Sequence, residues 1–394
     1  LFCGDGTKFN FNVRTDLRFG AGLASELGKS LKEIGIKRAG VIIDSNIYNL
    51  DFVKSAISHV ERELEFVKIW MYDLGAEPDY DSLDRIKALF LNDKSEPTVD
   101  CFVGIGGGSV IDFAKGLATV LVNPGKAITY RGFPTNIVPS LPTIAVPTTA
   151  GTGSEVTYNA VFIDKDGKKK LGINTKHNFP VLAILDPKLT VSCPKSVTAA
   201  SGIDAMIHAI EAYSSVNSDR LTRIFAVGAV SLMYNNLSKV FDAPTDLEVR
   251  GNLQLGAYLG GLCLINSGGG PTGALSYVLG ANFNVPHGLA GAVFLPHIIE
   301  HNLARGYDYS ELLDAILASN ASADSSEKGR MFLKKIKELY AKLNIPTDLK
   351  PFGIDKNNIN VLLKEVENYG GAFSKNPVTF SVDDAKKLLL RMIA

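Results

Sequence analysis

Cysteine is scarce in this chain: four residues among 394, Cys3, Cys101, Cys193 and Cys263, with no CxxC pair. Such usage argues against a disulfide framework and predicts a reducing, cytoplasmic setting. Net charge is absent as well, with Lys+Arg 41 against Asp+Glu 41. A nucleic-acid binder shows a basic excess or stripe, and anionic membranes attract basic surfaces, so neither partner is expected. No uninterrupted run of roughly 18 apolar residues occurs, which argues against a spanning helix. The opening LFCGDGTKFNFNVRTD lacks the charged head and apolar stretch of a signal peptide. Internal repeats and low-complexity tracts are missing too. What remains is a chain that is 46% hydrophobic and carries 37 glycines, several of them clustered. At roughly 100–200 residues per domain, its length fits two or three domains with full-sized cores. The composition is that of a soluble enzyme with a small-molecule substrate.

The chain divides near Cys193-Pro194. Before that point AGVIID (39–44), EFVKIWMYD (65–73), VDCFVGIG (99–106), TIAVP (143–147) and VLAILD (181–186) read as buried strands. Between them SELGKSLKEIG (25–35), FVKSAISHVERELE (52–65) and YDSLDRIKALFLND (80–93) carry helical spacing. This alternation predicts an α/β nucleotide-binding domain over 1–193, a doubly wound parallel sheet with helices on both faces. TYNAVFID and KLGIN, joined by a turn at Asp166-Gly167, read as a hairpin. After Pro194 the strand signal disappears, and five helical stretches predict an all-α domain over 194–394.

Two polar loops follow strands. Gly104-Ile105-Gly106-Gly107-Gly108-Ser109 opens the helix SVIDFAKGLATVLV, where glycines let the backbone approach a pyrophosphate and free N–H groups attract it. Ser109 and Asp112 stand at capping-box spacing. Asp44 ends an apolar strand, where a carboxylate can hold ribose hydroxyls, although it precedes the glycines instead of following them. The second loop, Pro147 to Thr157, offers Thr148, Thr149, Thr152, Ser154 and Thr157. The bland reading of both loops is a tight strand–helix turn and a Ser/Thr loop bonding its own backbone. Two such loops on one sheet edge favour a ligand. Farther on, GIDAMIHAIEAY places Asp204 and His208 one helical turn apart, able to ligate a divalent cation or simply to bond each other. His287 heads a new helix, and three of the six histidines fall between 287 and 301.

Together FNVRTDLRFGAG (11–22), GIGGGSVIDFAK (104–115), PTTAGTGSEVT (147–157), GIDAMIHAIEAY (202–213) and NVPHGLAGAVFLPH (284–297) resemble the iron-dependent, group III alcohol dehydrogenases. The likeness runs through nearly the whole chain in order. It implies the dehydroquinate synthase-like architecture, with cofactor and metal in a cleft between the α/β and helical domains. It implies Asp204, His208 and His287 as metal ligands. Asp44, Gly106, Gly107, Gly108, Ser109, Asp112, Thr148, Thr149, Thr152, Ser154, Thr157, Asn159 and Lys170 become the cofactor candidates. Asp44 matches the position whose acid favours NAD(H) over NADP(H), since it repels a 2′-phosphate.

One departure stands out. The family's remaining metal-ligand His lies fourteen residues before the His of PHG, and this chain has Gly273 there. A second family His, near nicotinamide and substrate, aligns with Tyr277. Three ligands still suit Fe²⁺ or Zn²⁺, with lower affinity. His297 and His301 are alternative donors, although His297 matches a family residue that is not a ligand. A bound metal would polarise the substrate oxygen while hydride moves to or from nicotinamide. Tyr277, His287 and His208 are the catalytic candidates. The expected activity is an NAD(H)-dependent alcohol/aldehyde oxidoreductase for a polar or anionic substrate, working as a homo-oligomer, a dimer. ALSYVLG is also similar to the sugar-acid branch, the 3-deoxy-octulosonate 8-oxidase type. A lyase of the dehydroquinate synthase kind would need Lys and Arg around a phosphate, and 266–290 holds none. A metal-free, non-catalytic nucleotide binder is the alternative that Gly273 favours.

Overall fold

The computed structural model describes residues 8–73, 77–167, 169–283, 285–319 and 322–393. Six strands form one parallel sheet: β1 (Asp16–Phe19), β2 (Arg38–Asp44), β3 (Phe66–Tyr72), β4 (Cys101–Gly106), β5 (Thr143–Pro147) and, after a hairpin, β8 (Leu182–Leu185). Their order is β1-β8-β5-β4-β2-β3. Four helices cover the sheet: α1 (Leu27–Glu33), α2 (Asp51–Glu63), α3 (Tyr80–Lys87) and α4 (Gly108–Val122). Alternation along β2 shows why both faces need cover. Val41 and Ile43 pack with Leu31, Val53 and Val60 on one side, whereas Ile42 packs with Leu83 and Phe113 on the other. The expected hairpin is present as β6 (Val161–Asp164) and β7 (Lys169–Gly172), antiparallel and separate from the main sheet.

The chain winds outward from β2 to β3, then returns to lay β4 on the other side of β2. Ile43 and Ile105 are register partners, so Asp44 and Gly106 finish their strands side by side at this switch point. Open α/β sheets bind ligands in that crevice.

From Lys195 onward every described element is helical. Helices α5 (Lys195–Ser214), α6 (Arg220–Leu237), the short α7 (Lys239–Asp242) and α8 (Leu247–Ser267) precede α9 (Pro271–Phe283), α10 (His287–Ala292), α11 (Leu295–Leu303), α12 (Ser310–Leu317) and α13 (Ser325–Leu343). By length and composition the stretch 220–242 could cross a membrane. One face of it joins the core, burying Ala226, Ala229, Val230 and Met233 in a cluster with Ile203, Ile207 and Leu253 of its neighbours.

Two elements escape the sequence pattern. The edge strand β1 is mostly exposed, so it shows no buried apolar run. Helix α9 contains two glycines and is buried nearly all round, so it carries no amphipathic stripe. Its first turn is stabilised from outside. Buried Glu211 of α5 accepts the backbone N–H groups of Gly270 (2.8 Å), Thr272 (2.5 Å) and Gly273 (3.3 Å).

Candidate active site

The strand ends bring the two polar loops together. Gly107 is the N-cap of α4 and Gly108 its first residue, and no side chain caps this end. The capping box expected of Ser109 and Asp112 is therefore not formed. Ser109 lies inside the first turn, and the Asp112 carboxylate turns away to accept Ser154 Oγ (2.5 Å) and Val161 N (2.9 Å). A Cβ on Gly108 would sit 2.6 Å from Thr152, so glycine lets the two polar loops touch. Thr148 and Thr157 are buried, and Thr152 Oγ1 accepts Ser154 N at 3.2 Å. Thr149 lies near Gly107, whose Cβ would meet it at 3.6 Å. The Asn159 side chain donates to Asn174 (3.3 Å). Asp44 Oδ1 accepts both nitrogens of Asn46 at 2.9 Å, and the other oxygen bonds no described residue.

Sequence reasoning missed what joins these loops. Lys115, fully buried on α4, donates to Ser154 Oγ (2.7 Å) and the Asn159 carbonyl (2.9 Å) and lies 3.6 Å from Asp112. Burial depresses its ammonium to about 8, against the pull of Asp112 and Glu155. Glu155 is buried in the same loop, and burial raises it to about 7. The available signal was one cation in an otherwise apolar helix, one turn after Asp112.

The helical half supplies a second cluster. Asp204 and His208 sit one turn apart on α5, and His287 begins α10; one donor atom from each lies within 4.8 Å of the others. His208 Nε2 and His287 Nε2 are each 3.8 Å from Asp204 Oδ1. Gly288 makes this approach feasible, because a Cβ there would stand 2.4 Å from the Ala200 carbonyl and 3.2 Å from Asp204 Cβ. Asp204 is buried, yet its carboxylate receives no hydrogen bond among the described residues. An anion desolvated without donors is costly unless a cation compensates it. Two imidazoles and a carboxylate are the donor types that Fe²⁺ and Zn²⁺ take, so these residues fit a divalent metal. His287 is held near 4 by burial and by nearby Lys170, so the ring is neutral and its lone pair is available at neutral pH.

Tyr277 of α9 packs its ring 5.0 Å from His287, and Lys170 of β7 places its ammonium 5.3 Å from that ring while pairing with Glu77 (2.8 Å). Burial, with Asp112 and Asp204 nearby, raises the Tyr277 phenol well above its ordinary value, so it stays protonated. Lys170 and Tyr277 thus link the hairpin to the Asp204–His208–His287 cluster. Gly273 lies in the first turn of α9, and a Cβ there would stand 3.5 Å from Glu211 Oε2, an ordinary contact. His297 and His301 are not alternative donors to this cluster. They line a separate groove of about 270 Å³. There each Nε2 bonds a backbone carbonyl, Thr347 or Thr379, and each Nδ1 faces an arginine, Arg391 or Arg305.

The profile for iron-containing alcohol dehydrogenases matches residues 14–187, and that for the C-terminal part of the Fe-containing alcohol dehydrogenase family matches 198–393. The chain belongs to the iron-containing alcohol dehydrogenase family. It is accordingly an oxidoreductase of the alcohol dehydrogenase class. Alcohol dehydrogenase 4 of Schizosaccharomyces pombe is 31% identical over 94% of this chain and 86% of its own length. The 1,3-propanediol dehydrogenase of Klebsiella pneumoniae is 30% identical over 94% and 95%. Among solved structures, an alcohol dehydrogenase from Oenococcus oeni superposes with a TM-score of 0.88 at 26% identity, covering 98% of this chain and 100% of its own. A 1,3-propanediol oxidoreductase reaches 0.90 at 25% identity, covering 98% and 100%.

Proposed function

We propose that this alcohol dehydrogenase passes hydride between NAD(H) and a polar or anionic alcohol or aldehyde in the cleft where Tyr277 and Lys170 meet the Asp204–His208–His287 cluster. The convergence of those three donors within 4.8 Å, one of them a buried carboxylate that receives no hydrogen bond among the described residues, carries the reading. Asp204, His208 and His287 would hold an iron or zinc ion. When bound, that ion supplies Lewis acidity toward the substrate oxygen.

The uncapped start of α4 and the threonine loop hold the pyrophosphate and nicotinamide, and Asp44 takes the ribose hydroxyls. A carboxylate at Asp44 repels a 2′-phosphate, which favours NAD(H). Tyr277, kept protonated by its surroundings, donates a hydrogen bond to the substrate oxygen. Lys170 supplies positive charge beside that oxygen and supports a substrate with a polar or anionic substituent. Packing of Gly108 on Thr152 holds the two polar loops together, and packing of Gly288 on Ala200 holds α10 against α5. The same reading includes a cytoplasmic, homodimeric enzyme. Exposed Leu17 and Phe19 on edge strand β1 support association.

The test is elemental analysis of gently purified protein beside a Gly273→His variant, with NADH formation followed over an alcohol panel. Iron or zinc near one equivalent in the parent, with turnover, is the expected result. A parent that binds NADH yet holds no metal and reduces no NAD with any alcohol would overturn the reading.

A further inference from the structure

Among the described residues the two imidazoles of the Asp204–His208–His287 cluster have one hydrogen-bond partner between them. His208 Nδ1 is buried without any. His287 Nδ1 lies 3.0 Å from Ser276 Oγ. Ser276 is itself 1% exposed on α9, and its hydroxyl is 2.7 Å from the Gly273 carbonyl one turn earlier. We propose that Ser276 is a positioning residue that fixes the tautomer and orientation of His287 so that Nε2 presents its lone pair to the cluster. This inference rests on the metal-site reading given above.

A hydroxyl has one hydrogen to donate, and a carbonyl oxygen has none. The 2.7 Å contact with the Gly273 carbonyl therefore takes the Ser276 proton. Toward His287 the same hydroxyl can only accept, so Nδ1 must carry the ring hydrogen. In the neutral ring Nε2 is then left unprotonated. Nε2 is the atom that faces Asp204, at 3.8 Å, too far for an Nε2–H to donate to that carboxylate and so favour the other tautomer. Donation to a second group is how metal-ligating imidazoles are held in the right tautomer. Ser276 reaches this place because its helix back-bond turns the hydroxyl over the start of α9. Among the described residues Ser276 is the one hydrogen-bond partner of the His287 ring, whose packed neighbour Tyr277 is a ring contact indifferent to the tautomer, so removing the hydroxyl frees the tautomer.

Two readouts test this. In the metal-free protein, long-range ¹H–¹⁵N spectra of labelled histidines, with the His287 signals assigned by their loss in His287→Gln, should show Nδ1–H in the parent. A Ser276→Thr variant keeps the hydroxyl and should keep the pattern, whereas Ser276→Ala should populate Nε2–H. In Zn²⁺ competition against a chromophoric chelator, Ser276→Ala should lose about 10–100-fold in affinity and Ser276→Thr should regain most of it. Nε2–H in the parent overturns the proposal, and so does equal zinc affinity in Ser276→Ala. Equal affinity for a parent that does bind zinc leaves the metal site standing; a parent that binds none removes the metal site and this role with it.

Discussion

Replacing Glu155 by glutamine should stabilise the protein at pH 7 far more than at pH 5. The side chain is 4% exposed in the turn after β5 and receives no side-chain hydrogen bond among the described residues. Burial raises its carboxyl from 4.5 to about 7, opposed by its own backbone N–H and by Lys115. The charged and titratable groups around it are Lys115 and Asp112 from α4 and Tyr258 from α8. Because the folded value lies above the unfolded one, the native state holds an extra proton between pH 4.5 and 7. Stability from that proton is complete below 4.5 and is lost as pH rises through 7. Glutamine does not titrate. At about 1.36 kcal/mol per pKa unit, the ionised glutamate costs under about 1 kcal/mol at pH 5 and about 3 kcal/mol at pH 7. The advantage of Glu155→Gln should therefore widen by about 2 kcal/mol across that interval. Urea unfolding of both proteins at the two pH values, read by circular dichroism, measures it. A gap that is constant, or that narrows as pH rises, would refute the reasoning.

Other outcomes follow from the same geometry. Asp44→Gly should raise the NADP/NAD ratio of kcat/KM, and an unchanged ratio would remove Asp44 from the ribose site. His208→Ala should abolish metal retention and turnover while NADH binding, followed by fluorescence, stays intact; full activity would refute the ligand assignment. Gly288→Ala should push α10 away from α5, since its Cβ would stand 2.4 Å from the Ala200 carbonyl. Loss of zinc affinity with native-like circular dichroism is expected, and parent-like affinity would contradict the packing argument.

Much of this arrangement was legible in the residues. Short β-branched runs such as AGVIID show themselves because both faces of a parallel strand are buried, and β2 is enclosed in this way. Asp204 and His208 are legible because one helical turn brings them together. His287 joins them only through tertiary packing, which Gly288 allows, so the family likeness and not local spacing pointed to it. The Ser109–Asp112 capping box failed because spacing cannot reveal a competing partner. Asp112 is drawn to Ser154 and Val161, which lie far off in sequence. Helix α9 stayed hidden because its start is secured by Glu211, some sixty residues upstream.

The cluster's donors sit on α5 and α10, and His287 lies 83 positions after Asp204. During folding, α5 alone can offer two donors, and the third arrives only when α10 has docked through Gly288. Closing a loop of that length is an entropic cost borne late, by the contacts that complete the helical half. If the cluster holds a metal as proposed, its full donor set therefore exists only after α10 has docked on α5, and a chain that has made α5 alone would offer the ion two donors of the three.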